Sequence, residues 1–323
     1  MSVKKHKKTL IKGLLITFTL FILFNTIVAI HAYSLSHFKE GATPLTPDYK
    51  PSFTKTLQIA FCGLDLPRPH TKQYPTANYE SLKIPVNDEN HLDAWLLHTD
   101  SLKQGIVIGF HGYMDEKSSM LDRADVLLKM GYDVLLVNFM GAGDSYGDQT
   151  TMGYLEAENV ITTYNYVIGQ LEEENILFLG FSMGSAAIMR AQSKYNLLTK
   201  AIILEAPYGT FKETVDARLS EYNIPSFPIC NAFMFWFGKL NDFEASDANP
   251  QDYGKNIHVP VLLMCGGQDP HIPIKETETI FNMLASQQKT MKIFDKASHE
   301  SYLKQYPLEW AETVQAFLID IKK

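Results

Sequence analysis

Residues 176–184 read Ile176-Leu177-Phe178-Leu179-Gly180-Phe181-Ser182-Met183-Gly184, and a helix-compatible run continues from Met183 to Ala191. The four apolar residues before Gly180 have the length and character of a buried strand. The sequence therefore predicts a strand, a sharp turn and a helix in close succession, with Ser182 at the turn. Glycines two positions before and two after a serine have a steric reason. The turn is so tight that side chains at those places collide. The serine is forced into a strained backbone conformation that lifts its hydroxyl above the sheet. Because the helix starts at the next residue, the Met183 N–H and the positive helix end face any oxyanion that forms beside Ser182.

The chain has 323 residues, 46% of them hydrophobic, enough for one large α/β domain with additions. The formal net charge is −7, yet Lys4, Lys5, Lys7, Lys8 and Lys12 crowd into the first twelve residues without an acid. Without those five lysines, 24 basic residues face 36 acidic ones, a net −12 for the body. An acidic body with no dense basic patch argues against nucleic acid as a partner. Cys62, Cys230 and Cys265 show no C-x-x-C spacing. They suggest neither a disulfide framework nor a zinc site.

Gly13 to Ile30 is an 18-residue stretch without charge. As a helix it spans ~27 Å, close to the hydrocarbon thickness of a bilayer. Leu10 and Ile11 extend it past Lys12, whose side chain can snorkel. A cleaved signal peptide is the rival, but its apolar region is shorter and Ile30-His31-Ala32 is a poor cleavage site. The expectation is an uncleaved signal anchor, its lysine-rich N-terminus cytoplasmic and the domain outside the cytoplasm. Signal cleavage would instead give a secreted or periplasmic protein.

These signals divide the chain into residues 1–32, a basic tail with a transmembrane anchor; 33–75, an extended linker carrying Pro44, Pro47, Pro51, Pro67, Pro69 and Pro75; and 76–323, the folded domain. In that domain Tyr79–Val86 and His91–His98 read as an antiparallel opening pair. Buried strands follow at Gly105–Phe110, Asp133–Phe139, Ile176–Phe181, Ala201–Ala206, Val259–Cys265 and Thr290–Asp295. Helices are expected at Ser118–Met130, Gly153–Ile168, Glu276–Ala285 and Leu303–Ile321. Buried strands alternating with helices imply a doubly wound, mostly parallel sheet. The rhythm breaks at about 208–258, after the sixth strand, where an aromatic-rich insertion is read as a cap over the sheet's C-terminal edge. Most of its aromatics fill the cap's own core, and so apolar a cap suits an acyl or aromatic substrate better than a sugar.

An exposed serine needs a base, and the base an orienting acid. Asp269 follows the strand that ends at Cys265, and His299 lies between the last strand and the final helix, so both reach the edge where Ser182 sits. Glu205, ending the preceding strand, competes for the acid's place, with a structural carboxylate as its other role. Asp295 reads as a solvated strand-end charge, His271 as an ordinary loop histidine, and His111 as a brace for its loop. Gly141-Ala142-Gly143 is followed too late by Gly147 for a dinucleotide fingerprint. The absence of H-E-x-x-H and of cysteine–histidine clusters leaves a metal mechanism without support.

Phe110-His111-Gly112, Gly180–Gly184, Gly267-Gln268-Asp269 and Ser298-His299 together resemble the α/β-hydrolase superfamily. Within it the chain is similar to the serine aminopeptidase-like, monoacylglycerol-lipase-like and membrane-anchored acyl-protein hydrolase branch. The likeness runs from about residue 57 to the C-terminus, with Asn138 and Met140 standing where relatives carry aspartate and arginine. The resemblance implies the chain order nucleophile, acid, base that Ser182, Asp269 and His299 follow. It also implies an oxyanion hole made by the backbone N–H groups of Met183 and, from the loop after the third strand, Tyr113. The expected activity is hydrolysis of an ester, thioester or small amide through an acyl-enzyme, with no cofactor and no metal. The expected partners are a small acyl-containing or lipid substrate and the membrane. An acyltransferase using the same residues, or a non-catalytic binding protein on this fold, are the alternatives.

Overall fold

The computed structural model describes residues 2–43 and 52–322, with side chains from His6 onward. Pro44, Pro47 and Pro51 lie outside the described residues, as do the side chains of Lys4 and Lys5. The chain opens with a 35-residue helix, α1 (Ser2–Ser36), followed by β1 (Phe38–Lys39), α2 (Phe53–Cys62) and β2 (Leu66–Pro67). The main body then runs β3 (Tyr79–Pro85), β4 (His91–Leu97), β5 (Gly105–Phe110), α3 (Leu121–Lys129), β6 (Tyr132–Val137), α4 (Glu156–Gln170), β7 (Ile176–Phe181), α5 (Met183–Tyr195) and β8 (Ala201–Glu205). After β8 come α6 (Phe211–Glu221), α7 (Ser226–Leu240, broken at Phe227) and α8 (Pro250–Tyr253). The chain closes with β9 (Val261–Gly266), α9 (Ile274–Met283), β10 (Lys289–Phe294), α10 (Tyr302–Gln305) and α11 (Pro307–Asp320).

Strands β3–β10 form one eight-stranded sheet in the order β10-β9-β8-β7-β5-β6-β4-β3. The β3–β4 and β4–β6 pairs are antiparallel and all the others parallel. The central strands are apolar throughout because helices cover both faces. In β7, Ile176 and Phe178 enter one core while Leu177 and Leu179 enter the other, and Val261–Met264 of β9 alternate in the same way. The chain goes from β5 to β6 on one side and returns to β7 on the other. The carboxyl ends of β5 and β7 therefore flank a topological switch point, where ligands of open α/β sheets bind.

Three expectations are corrected. The stretch 33–75 is not simply extended, because α2 lies within it, started by the Ser52 hydroxyl accepting from the Lys55 N–H. Nor does the helix that carries the apolar stretch Gly13–Ile30 end with the tail-and-anchor segment at residue 32: α1 continues to Ser36, and Val28, Ala32 and Ser36, spaced by four, are buried on one of its faces. The closing helix is split at Pro307, which cannot continue the ladder of α10 but suits the first turn of α11.

Candidate active site

Ser182 joins β7 to α5 with φ 51° and ψ −113°, a region that costs a non-glycine residue of order 1–3 kcal/mol. The surroundings hold it there. Its N–H donates to the Glu205 carbonyl at 2.8 Å, and the Ser185 hydroxyl donates to the carbonyls of Gly180 (2.7 Å) and Glu205 (2.8 Å). A Cβ on Gly180 would stand 2.5 Å from the Ser185 nitrogen and 2.6 Å from the Gly184 carbonyl carbon, the collision expected across a tight turn. At Gly184 the obstacle is different. A Cβ there would meet the carbonyl oxygens of Phe110 at 2.3 Å and His111 at 2.8 Å. The second glycine thus lets α5 approach the end of β5, which brings the loop of Tyr113 against the elbow.

The loops after β9 and β10 are tied together, with Gly267 N–H donating to the Phe294 carbonyl (2.8 Å) and Gln268 N–H to that of Ala297 (2.9 Å). Their side chains meet as a result. His299 Nδ1 lies 2.7 Å from Asp269 Oδ2, and His299 Nε2 lies 3.0 Å from Ser182 Oγ. The other carboxylate oxygen, Asp269 Oδ1, accepts from the backbone N–H groups of His271 (2.8 Å) and Ile272 (3.0 Å). With both oxygens occupied, the carboxylate is fixed in rotation and aims one lone pair at the imidazole. Ser182 and Asp269 are each 9% exposed, and the His299 ring rests 5.1 Å from the Phe181 ring. A proton on Nδ1, held by Asp269, leaves Nε2 free to accept from the serine hydroxyl.

Among the described residues no acceptor takes the Tyr113 N–H, and Met183 N–H belongs to the first turn of α5, where helix donors have no partner within the helix. The Tyr113 hydroxyl donates to the Leu35 carbonyl of α1 at 2.8 Å, a contact across 78 residues that no local pattern announces. His111 is buried. Its Nε2 accepts from Phe139 N–H at 3.1 Å and its Nδ1 faces the Gly112 carbonyl at 2.8 Å, so it braces the loop, and burial lowers its pKa. Glu205 is fully buried away from His299, paired with Arg123 and accepting from Trp310 Nε1 at 2.7 Å. Asn138 takes the place of an acid without leaving a gap. Its amide donates to Asp93 (2.8 Å), its oxygen accepts from Lys117 N–H (2.7 Å), and the Lys117 ammonium pairs with Asp93.

His271 is more than a loop residue. Its ring lies 5.6 Å from that of His299, edge to face, and its Nδ1 is 3.0 Å from Glu221 of α6. The signal was present in Asp269-Pro270-His271-Ile272, because an aspartate that accepts from the N–H groups two and three residues on forms a local turn. In the insertion, the rings of Phe211, Phe233 and Phe237 cluster at tilted and edge-on angles with centroids 4.7–6.5 Å apart, whereas Phe227 and Phe235 remain exposed.

The chain is 24% identical over 215 residues to the uncharacterized protein YqkD of Bacillus subtilis, covering 66% of this chain and 70% of that one. It is 20% identical over 196 residues to the lysophosphatidylserine lipase ABHD12 of Mus musculus, covering 59% of this chain and 48% of that one. The chain thus spans about half the length of that lipase. The Pyrococcus furiosus esterase Pf2001 shares the fold at a TM-score of 0.65 and 23% identity, covering 79% of this chain and 98% of that one. The sequence profile of the prolyl oligopeptidase family matches residues 118–322, nearly two thirds of the chain. The protein is an α/β-hydrolase-fold serine hydrolase, and it belongs to the prolyl oligopeptidase family.

Proposed function

We propose that the protein is a membrane-anchored hydrolase of acyl esters, with Ser182 as nucleophile, His299 as base and Asp269 as its orienting acid. The observation that carries this reading is the run of hydrogen bonds Ser182–His299–Asp269 at 3.0 and 2.7 Å. His299 Nε2 takes the serine proton while Oγ bonds to the acyl carbon, and the N–H groups of Met183 and Tyr113 receive the oxyanion. Collapse breaks the bond to the leaving alcohol, which takes the proton from His299. Water, deprotonated by the same imidazole, then attacks the acyl-enzyme and releases the carboxylic acid. Thioesters and small amides follow the same path with a thiol or amine as leaving group.

An ester of a fatty acid fits better than a peptide, because α7 offers half-buried Phe233 and Trp236 beside exposed Phe235, and mouse ABHD12, which the chain resembles, is a lysophosphatidylserine lipase. The anchor is α1, which is long and apolar enough to cross a membrane from His6 to Ser36. The lysines at its start favour an N-terminus in the cytoplasm and a catalytic domain outside it. The domain begins near residue 76, with its cap at about 208–258.

The test is a panel of acyl esters, thioesters and amides, each run with and without an alcohol acceptor, on wild type and Ser182→Ala. The expected result is hydrolysis, strongest for esters, lowered roughly 10⁴–10⁶-fold by Ser182→Ala. Transfer to the alcohol in preference to water would make the enzyme an acyltransferase. Full activity in Ser182→Ala would remove the mechanism.

A further inference from the structure

A groove of about 1160 Å³ runs between α1 and α7, somewhat larger than the roughly 300–1,000 Å³ of most ligand sites. Phe21, Asn25 and Ala29 of α1 form one wall, Phe235 and Trp236 of α7 the other, and Phe38 stands at its inner end. Trp236 Nε1 donates to Asn25 Oδ1 at 3.1 Å, so the polar pair between these walls satisfies itself; the charged lining residues are Lys39 and Asp65, paired at 3.0 Å, and Asp148, and the α1 and α7 walls suit an apolar guest. At the inner end the Phe38 ring lies 6.4 Å from that of Tyr113, whose hydroxyl is held by Leu35 at the end of α1. The groove therefore stops one aromatic ring short of the oxyanion loop.

Its depth relative to a bilayer follows from the helix. Apolar side chains of α1 are exposed from Leu10 to Leu23, which covers ~21 Å at ~1.5 Å per residue. A hydrocarbon layer of ~30 Å needs ~20 residues, and counting from Leu10 that reaches Ala29. Asn25, Thr26 and Ala29, which line the groove, thus lie within the outer part of the layer. Exposed Phe235 sits across the groove from them. With α1 as the proposed anchor, the opening is at the depth of lipid tails.

We infer that this groove takes one acyl chain of a membrane lipid, which enters sideways from the bilayer along α1 and brings its ester to Ser182. The inference rests on the proposed anchor and nucleophile, and it assigns the substrate class: lipids whose scissile acyl chain is still embedded in the leaflet. In this arrangement α1 is a wall of the binding site as well as a tether.

The test uses full-length protein in detergent micelles and compares kcat/KM for the palmitoyl and acetyl esters of 4-nitrophenol in wild type, Ala29→Trp and Thr26→Phe. The ratio of the two values does not depend on how much of a variant folds. It should fall about tenfold or more in both variants, since displacing roughly two methylene groups from the groove already accounts for that factor. Binding of the fluorescent fatty acid cis-parinarate, which needs no turnover, should weaken in parallel. An unchanged palmitoyl-to-acetyl ratio in both variants, or undiminished parinarate binding, overturns the groove. Loss of acetyl ester turnover in wild type with parinarate binding that still responds to Ala29→Trp would fault the nucleophile and keep the groove.

Discussion

Asp269→Asn removes one charge and turns one acceptor oxygen into a donor. The geometry dictates which. Two backbone donors, the N–H groups of His271 at 2.8 Å and Ile272 at 3.0 Å, converge on Oδ1 and keep an oxygen in that position. The new amide nitrogen must then face His299 Nδ1, where Oδ2 stood at 2.7 Å. An NH₂ there donates to Nδ1, so the ring proton moves to Nε2 and points at Ser182 Oγ 3.0 Å away. The imidazole is then a donor where a base is required. The expected loss in kcat is about 10⁴-fold, equal to ~5.5 kcal/mol of transition-state stabilisation, with little change in Tm because both backbone bonds persist. Glu205→Gln should do the opposite. It unbalances a buried pair with Arg123 at a cost of ~3–5 kcal/mol of stability and leaves the tautomer of His299 alone. Steady-state kinetics on a short-chain ester, with thermal melts of both variants, separates the two effects. Near-full activity in Asp269→Asn together with its loss in folded Glu205→Gln would refute the reasoning.

Gly184→Val puts side-chain carbon within 2.3 Å of the Phe110 carbonyl oxygen, so α5 must back away from β5 at a cost above the usual ~1–3 kcal/mol of overpacking. A valine variant with unchanged melting and turnover would mean that the elbow is not this tight. His111 is buried and its pKa lies below the ordinary 6.5, so the unfolded chain takes up its proton first as pH falls. Stability from this site is complete above about pH 6.5 and is lost below it, and His111→Gln should flatten the fall of Tm between about pH 6.5 and 5. Identical slopes in the two proteins would contradict that. Deleting residues 1–24 should leave an active domain, whereas deleting 1–36 also removes buried Val28, Ala32 and Ser36 and the carbonyl that holds Tyr113. The longer deletion should melt roughly 5–10 °C lower, which equal melting temperatures would disprove.

The sheet was legible because its central strands are buried on both faces and read as unbroken apolar runs, as in Ile106–Phe110 and Val261–Met264. Asp269 and His299 could be found for a related reason: residues just past the ends of parallel strands converge on one edge, whatever the loops do in detail. What escaped the sequence was sidedness and distance. Hydropathy marked residues 13–30 as apolar but could not say that Val28, Ala32 and Ser36 turn inward while Leu14 and Phe18 turn out. The ten residues of α2 lie in a proline-bearing stretch, and their helix is announced only by Ser52. Glu205 was a plausible catalytic acid until Arg123 and Trp310, 82 and 105 residues away, were seen to enclose it. Such partners are fixed by tertiary packing, which no local spacing encodes.

The central claim is that Ser182 is a nucleophile primed by His299. Reaction of the full-length protein with a fluorophosphonate, followed by digestion and mass spectrometry, tests it at the atom concerned. The account predicts one phosphonate adduct, on the peptide that carries Ser182, abolished in Ser182→Ala and slowed by orders of magnitude in folded His299→Ala. An adduct on another serine, or none on protein that melts as a folded enzyme, would contradict it.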